Sequence, residues 1–159
     1  MNFPKRKALC LKDYDYSQTG GYFITFCTEN RAPLLSRITV GKAALRLPQV
    51  ELTEYGRITE KYIQNISVAY PHISVENYVI MPNHVHLLLL VGDGGQGAAR
   101  PTVSAVVRSI KALVRKETGK SLFQNSFYDH ILRDEQDFLI HWDYIETNPG
   151  KWAEDEYHI

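Results

Sequence analysis

The chain reads as an α+β protein, an antiparallel sheet covered by helices in a ferredoxin-like arrangement. Three observations lead there. The run Tyr22-Phe23-Ile24-Thr25-Phe26-Cys27-Thr28, aromatic and β-branched, follows the Gly20-Gly21 break and makes a core strand. Two further strand-like runs, Ile73 to Ile80 and His84 to Val91, are separated only by the Pro82-Asn83 turn signal and form a hairpin. Segments with apolar residues at helical spacing stand between and after these strands, giving the order β-α-β-β-α-β-α.

The first helix is expected between Glu51 and Ala69, where Leu52, Tyr55, Tyr62, Ile63 and Ile66 recur at helical spacing and Pro71 stops the pattern. The strand from His84 to Val91 carries Val85, Leu87 and Leu89 on one face and Leu88 and Leu90 on the other, which suits a central position. Residues 92–97 form a glycine-rich connection, and Pro101-Thr102 opens a helix that ends near Gly119. Its expected buried stripe is Val103, Val106, Val107, Ile110, Leu113 and Val114, which turns Arg108, Lys111, Arg115 and Lys116 outward. An extended piece follows around Ser126 to Leu132. The last helix starts at Asp134 or its neighbour, with acids in the first turn where they complement the helix dipole, and runs to about Thr147 before Pro149.

At 159 residues the chain is expected to form one domain, 1–159, with a core that needs no staple. Cys10 and Cys27 are the only cysteines, with no Cys-x-x-Cys, which argues against a disulfide scaffold or a zinc finger and for a reducing cytosol. No signal peptide or segment of transmembrane length is visible, so no membrane is expected as a partner. The formal net charge is zero, but its distribution is uneven. Arg100 to Lys120 holds six basic residues against Glu117, a local +5, while Asp134 to the end holds eight acids against Lys151, a local −7. A basic face attracts phosphates even on a neutral molecule, and on charge alone a solvated helix surface beside an acidic tail fits at least as well; from their clustering on one helix, Arg108, Lys111, Arg115 and Lys116 are a candidate DNA-backbone track, to which Lys5, Arg6 and Lys7 could add.

The chemistry-bearing feature is Met81-Pro82-Asn83-His84-Val85-His86. Strand side chains alternate between faces, so His84 and His86 emerge together and Val85 opposite. Paired imidazoles serve metal binding or acid–base work. On the last helix Tyr144 and Asn148 are four residues apart and share one face, so a phenol nucleophile and an amide oxygen stand one turn from each other. If that helix lies near the hairpin, Asn148 completes a metal set with His84 and His86, and Tyr144 points at whatever the metal binds. Tyr128, beside Asp129 and His130, is the competing phenol, with neighbours that read as strand packing. His72, His130 and His141 are read as structural or surface residues.

The segments Met81-Pro82-Asn83-His84-Val85-His86 and Asp143-Tyr144-Ile145-Glu146-Thr147-Asn148-Pro149 resemble the single-tyrosine HUH transposases, in particular the REP-associated tyrosine transposases. Supporting pieces are Asp13-Tyr14-Asp15-Tyr16-Ser17 leading into Tyr22-Phe23-Ile24-Thr25, then Phe127-Tyr128-Asp129-His130 with Arg133-Asp134-Glu135, and the ending Asn148-Pro149-Gly150-Lys151-Trp152-Ala153. The resemblance implies the ferredoxin-like HUH endonuclease fold. It further implies His84, His86 and Asn148 around a divalent metal, written as Mg or Mn because the ligand set mixes imidazole with oxygen. Tyr144 would be the nucleophile that cuts single-stranded DNA near short hairpin or palindromic repeats and leaves a 5′-phosphotyrosine.

Resealing from such an ester needs no nucleotide, and the chain has no Gly-x-x-x-x-Gly-Lys motif. A cytoplasmic, nucleoid-associated protein follows, and the resemblance allows a homodimer in which the tyrosine helix serves the partner's histidines. Two other readings stand beside this one: a metal-dependent nucleic-acid hydrolase using water, and a non-catalytic module that binds single strands or hairpins.

Overall fold

In a computed structural model of the chain, the structure describes residues 20–39, 48–92 and 102–158. The masses of the fold are a four-stranded antiparallel sheet of β1 (Gly20–Cys27), β4 (Ile73–Ile80), β5 (His84–Val91) and β6 (Tyr128–Leu132), ordered β4-β5-β1-β6. Numbered among themselves, these strands run 2-3-1-4, the ferredoxin-like order expected from the sequence. A second, two-stranded sheet joins β2 (Ser36–Thr39) to β3 (Gln49–Leu52). The helices are α1 (Glu54–Gln64), α2 (Ile66–Ala69), α3 (Val103–Thr118) and α4 (Glu135–Thr147).

Side-chain alternation divides the protein into two layers of core. From β1, Tyr22, Ile24 and Phe26, and from β5, Val85, Leu87 and Leu89, pack with Ile63 and Ile66 and with Val103, Val106, Val107, Ile110 and Val114 of α3. The opposite face presents Phe23 and Leu88 to Ile145, with Phe138, Tyr144 and Trp152 closing around them. Hence α1 and α3 cover one face and α4 the other. His84 and His86, being even-numbered on β5, fall on the α4 face.

The hairpin and both later helices follow the sequence closely. Strands β4 and β5 have the expected bounds, and β5 is central, paired to β4 and β1. Thr102 caps α3 by accepting from the Ala105 amide, and Gly119 ends it in the left-handed region, where a residue without Cβ is at ease. Asp134 caps α4 through the Asp137 amide.

Two of the expected apolar patterns fail. Residues 51–69 are not one helix. Glu51 and Leu52 lie in β3, and Thr53 starts α1 by accepting from the Gly56 amide at 3.2 Å. Asn65 then separates α1 from α2. Leu113, placed in the buried stripe of α3, is 37% exposed, because Ile110 and Val114 already meet the sheet. The glycine-rich connection at 93–97, Pro101 and the basic Lys5, Arg6 and Lys7 lie outside the described residues.

Gly56 shows how tightly α1 is docked. A Cβ there would land on the carbonyl oxygen of Leu35, which already accepts from the Thr53 amide at 2.9 Å, while the Leu35 amide is bonded to Pro82 at 3.0 Å. Alanine is the better helix former by about 1 kcal/mol, yet backbone fixed at both ends has no room to yield. Gly56→Ala is expected to destabilise by about 2–3 kcal/mol in urea unfolding, opposite in sign to the propensity effect.

Candidate active site

The site begins at the β4–β5 turn. Asn83 donates through Nδ2 to the main-chain oxygens of Arg31 and Tyr157, at 3.2 and 2.6 Å, so its Oδ1 is left as an acceptor facing the His84 ring. His84 Nδ1 lies 2.8 Å from that oxygen and therefore carries the proton, which leaves a lone pair on Nε2. One step along the strand, His86 Nδ1 shares a 2.6 Å hydrogen bond with Thr25 Oγ1, its cross-strand partner on β1. The two imidazoles meet edge to face with centroids 4.6 Å apart.

The C-terminal end of α4 supplies the rest. Asn148 follows α4 in right-handed helical geometry and is 3% exposed, with its side chain turned into the site. Its Nδ2 donates to Asp155 Oδ2 at 2.7 Å, which orients the amide so that Oδ1 is the unbonded atom. Three buried atoms are thus without a hydrogen-bond partner: His84 Nε2, His86 Nε2 and Asn148 Oδ1. Such groups are costly unless something coordinates them; His84 Nε2 and Asn148 Oδ1 offer lone pairs, and so does His86 Nε2 in the tautomer whose Nδ1 donates to Thr25 Oγ1. Together they fit a divalent cation, and they are the three residues singled out in the sequence for that role.

Tyr144 stands beside them in the same chain. Its ring makes an edge contact with His86, centroids 5.2 Å apart, and another with Phe23 at 5.9 Å. Burial pushes its phenol up to about 12, with Asp155 and Glu156 adding to the shift, so the hydroxyl is protonated at neutral pH. Tyr128, the competing phenol, lies on β6 opposite Thr25 of β1 and is also raised by burial.

Family models give no match to this chain. Related sequences do. An uncharacterized protein of Haemophilus influenzae is 28% identical over 97% of this chain and 93% of its own length. A second protein of that organism, provisionally named a REP-associated tyrosine transposase, is 23% identical over 86% of this chain and 74% of its length. The REP-associated tyrosine transposase of Escherichia coli K12 is 30% identical over 78 residues, 48% of this chain and 44% of that protein. The chain is similar in sequence to proteins named REP-associated tyrosine transposases. A solved structure of a REP-associated tyrosine transposase bound to a REP hairpin matches the fold with a TM-score of 0.65 at 23% identity, over 89% of this chain and 73% of that one.

The sequence did not single out two residues that the fold brings to the site. Asp155 orients Asn148 and places Oδ2 3.8 Å from His84 Nε2. Tyr157 lays its ring 4.5 Å from that of His84, and burial raises its phenol too. Both come from the segment after α4, whose 3-10 turn at Pro149–Glu154 folds it back over the histidines. Asp155 lies seven residues from Asn148, a spacing that carries no signal without the turn.

The basic residues of α3 stand elsewhere. Arg108, Arg115 and Lys116 are exposed on the helix that covers the opposite sheet face, away from His84 and His86. Lys111 departs from the outward placement expected for it: its Nζ is turned inward and donates to the main-chain oxygens of Gln124 and Ser126 at 2.7 and 2.8 Å, which removes it from the candidate track. No helix among the described residues is long and apolar enough to cross a membrane.

Burial is the largest influence on His84 and holds its pKa down to about 4, against the opposing pull of Asp155 and of the neighbouring Asn148 amide. His86 is pushed well below its ordinary value by burial, with the neighbouring His84 and His141 acting in the same direction. Both imidazoles are neutral at pH 7, the state a ligand needs. The unfolded chain takes up a proton on each near 6.5 while the folded one resists, so stability is present above pH 6.5 and is lost as pH falls toward 4. For His84 alone the full loss is about 3 kcal/mol. Urea unfolding of the metal-free protein at pH 7, 5.5 and 4.5 checks this, with midpoints expected to decline in that order.

Proposed function

We propose that the protein is a metal-dependent tyrosine transposase, an endonuclease and strand transferase that cuts and rejoins single-stranded DNA at hairpin or palindromic repeat ends. The observation that carries this is the convergence of His84 Nε2, His86 Nε2 and Asn148 Oδ1, each buried and unbonded, beside the Tyr144 phenol. Homology to REP-associated tyrosine transposases supports it, and the REP hairpin held by the structural neighbour suggests the kind of DNA.

His84, His86 and Asn148 would hold the divalent cation, Mg or Mn, which when bound supplies positive charge beside the scissile phosphate. Tyr144 Oη forms a bond to phosphorus as the bond to the 3′ oxygen breaks. The phenol gives up one proton and the departing 3′ oxygen gains one, so protons balance across the step. The phosphotyrosine ester keeps the energy of the broken bond, and a 3′ hydroxyl from another end reverses the attack without a nucleotide cofactor. Phe23 and His86 fix the ring of Tyr144, which limits its search for the phosphate. The set is complete within one chain, so this reading requires no partner subunit.

The direct test is incubation with labelled single-stranded hairpin oligonucleotides, including those flanking its own gene, with Mg, Mn or chelator. A denaturation-resistant protein–DNA adduct that needs the ion is expected. Cleavage without adduct would point to attack by water, and binding without cleavage under any ion to a non-catalytic module.

Arg108, Arg115 and Lys116 serve, in this proposal, the phosphate backbone of the hairpin away from the chemistry. Replacing all three with alanine is expected to weaken hairpin binding about tenfold at moderate salt and to lower the salt slope by about 2–3. The cleavage rate of bound DNA should stay unchanged.

A further inference from the structure

Next to the proposed active site, and sharing no residue with it, stands a second cluster of ligand-type groups. His130 lies on β6, and Asp137 and His141 lie one turn apart near the start of α4. The Asp137 carboxylate is 1% exposed. One of its oxygens is 2.8 Å from His130 Nε2 and the other 3.1 Å from His141 Nδ1, which also lies 2.8 Å from the main-chain oxygen of Asp137, so the two imidazoles flank one buried carboxylate. The rings are stacked with centroids 4.6 Å apart, and the three ligand atoms lie within 4.8 Å of one another. Both imidazoles retain partial exposure, which leaves a path for an ion and a position for water.

Two imidazoles and one carboxylate make a ligand set well suited to zinc and its neighbours, with the fourth position open. A divalent ion held among the three groups would offset the charge of the buried carboxylate directly. The Phe23 ring separates the two sets: it stacks on His86 at 5.1 Å and meets His141 at 4.7 Å.

We propose that His130, Asp137 and His141 form a second divalent-metal site, zinc-like in chemistry, which clasps the start of α4 to β6. Tyr144 is the next residue but two after His141, so an ion here holds the helix that carries the phenol. The role is positional, and the site stands whether or not the transposase reading does.

Cobalt is the probe, because a nitrogen- and oxygen-ligated Co site of low coordination absorbs in the visible. Chelator-stripped His84→Ala/His86→Ala protein is titrated with Co and, separately, with Zn, following absorption, calorimetric stoichiometry and melting temperature. One equivalent is expected to bind with a visible band and a rise in melting temperature. Adding Asp137→Asn, or His130→Ala with His141→Ala, is expected to weaken that binding at least about tenfold, in line with loss of a ligand.

A folded His84→Ala/His86→Ala protein, verified by circular dichroism, that binds no stoichiometric Co or Zn would overturn the proposal, leaving only a hydrogen-bonded cluster. So would binding that survives His130→Ala/His141→Ala undiminished. Should the double variant not fold, wild-type protein takes its place, with two equivalents expected and one remaining after His130→Ala/His141→Ala. A wild-type stoichiometry unaltered by that change refutes the site.

Discussion

Tyr144→Phe is expected to abolish the covalent protein–DNA adduct, lowering strand cleavage by about 10⁴-fold or more, while hairpin affinity changes by less than about threefold. The expectation rests on how little else the hydroxyl does. The ring holds its place through edge contacts with His86 and Phe23, and a phenylalanine ring repeats both. The phenol oxygen is the one group removed, so the fold, the proposed ligand set and the proposed DNA surface remain.

Tyr157, close to His84, provides the control: Tyr157→Phe is expected to keep the adduct. Gel-resolved adduct yield and a binding titration with the same oligonucleotide separate the outcomes. Residual adduct in Tyr144→Phe that vanishes only on adding Tyr157→Phe would move the nucleophile to the tail segment.

The contrast between these two phenols also shows what the sequence made visible. Tyr144 and Asn148 were legible because helical spacing is local: four residues apart on an unbroken α4 places them on one face whatever the tertiary fold. His84 and His86 were legible for the same reason on a strand, and the Pro82-Asn83 turn gave the hairpin its ends. Asp155 and Tyr157 were hidden because they reach the site through a 3-10 turn that no periodicity announces.

The small β2–β3 sheet was hidden as well. Each of its strands has four residues, partly exposed, and Leu52 fits a helical pattern as readily as a strand end. The charge on α3 could be counted in the sequence, but the sheet face it covers is set by which alternate residues of β1 and β5 meet it, a matter of packing. His130 and His141, read as bland on their own, gain meaning only when β6 and α4 bring them to Asp137.

His84→Ala combined with His86→Ala is the second large effect, and its consequences point in opposite directions. Metal-dependent cleavage is expected to fall by about 10³-fold or more, since both imidazoles proposed to hold the cation are gone. Hairpin binding in chelator should change little, because neither ring is exposed. Stability behaves differently. At pH 7 the variant gives up the 2.6 Å contact to Thr25 and the 2.8 Å contact to Asn83 and leaves space where two rings packed, so its urea midpoint is expected below that of wild type. As pH falls toward 4 the wild type loses the stability tied to keeping these imidazoles neutral, and the variant, having none there to protonate, does not lose that part. The two unfolding curves should therefore converge on acidification. Parallel curves across that range would mean that the buried imidazoles do not resist protonation, and with that the case for a preformed pair of neutral metal ligands would fail.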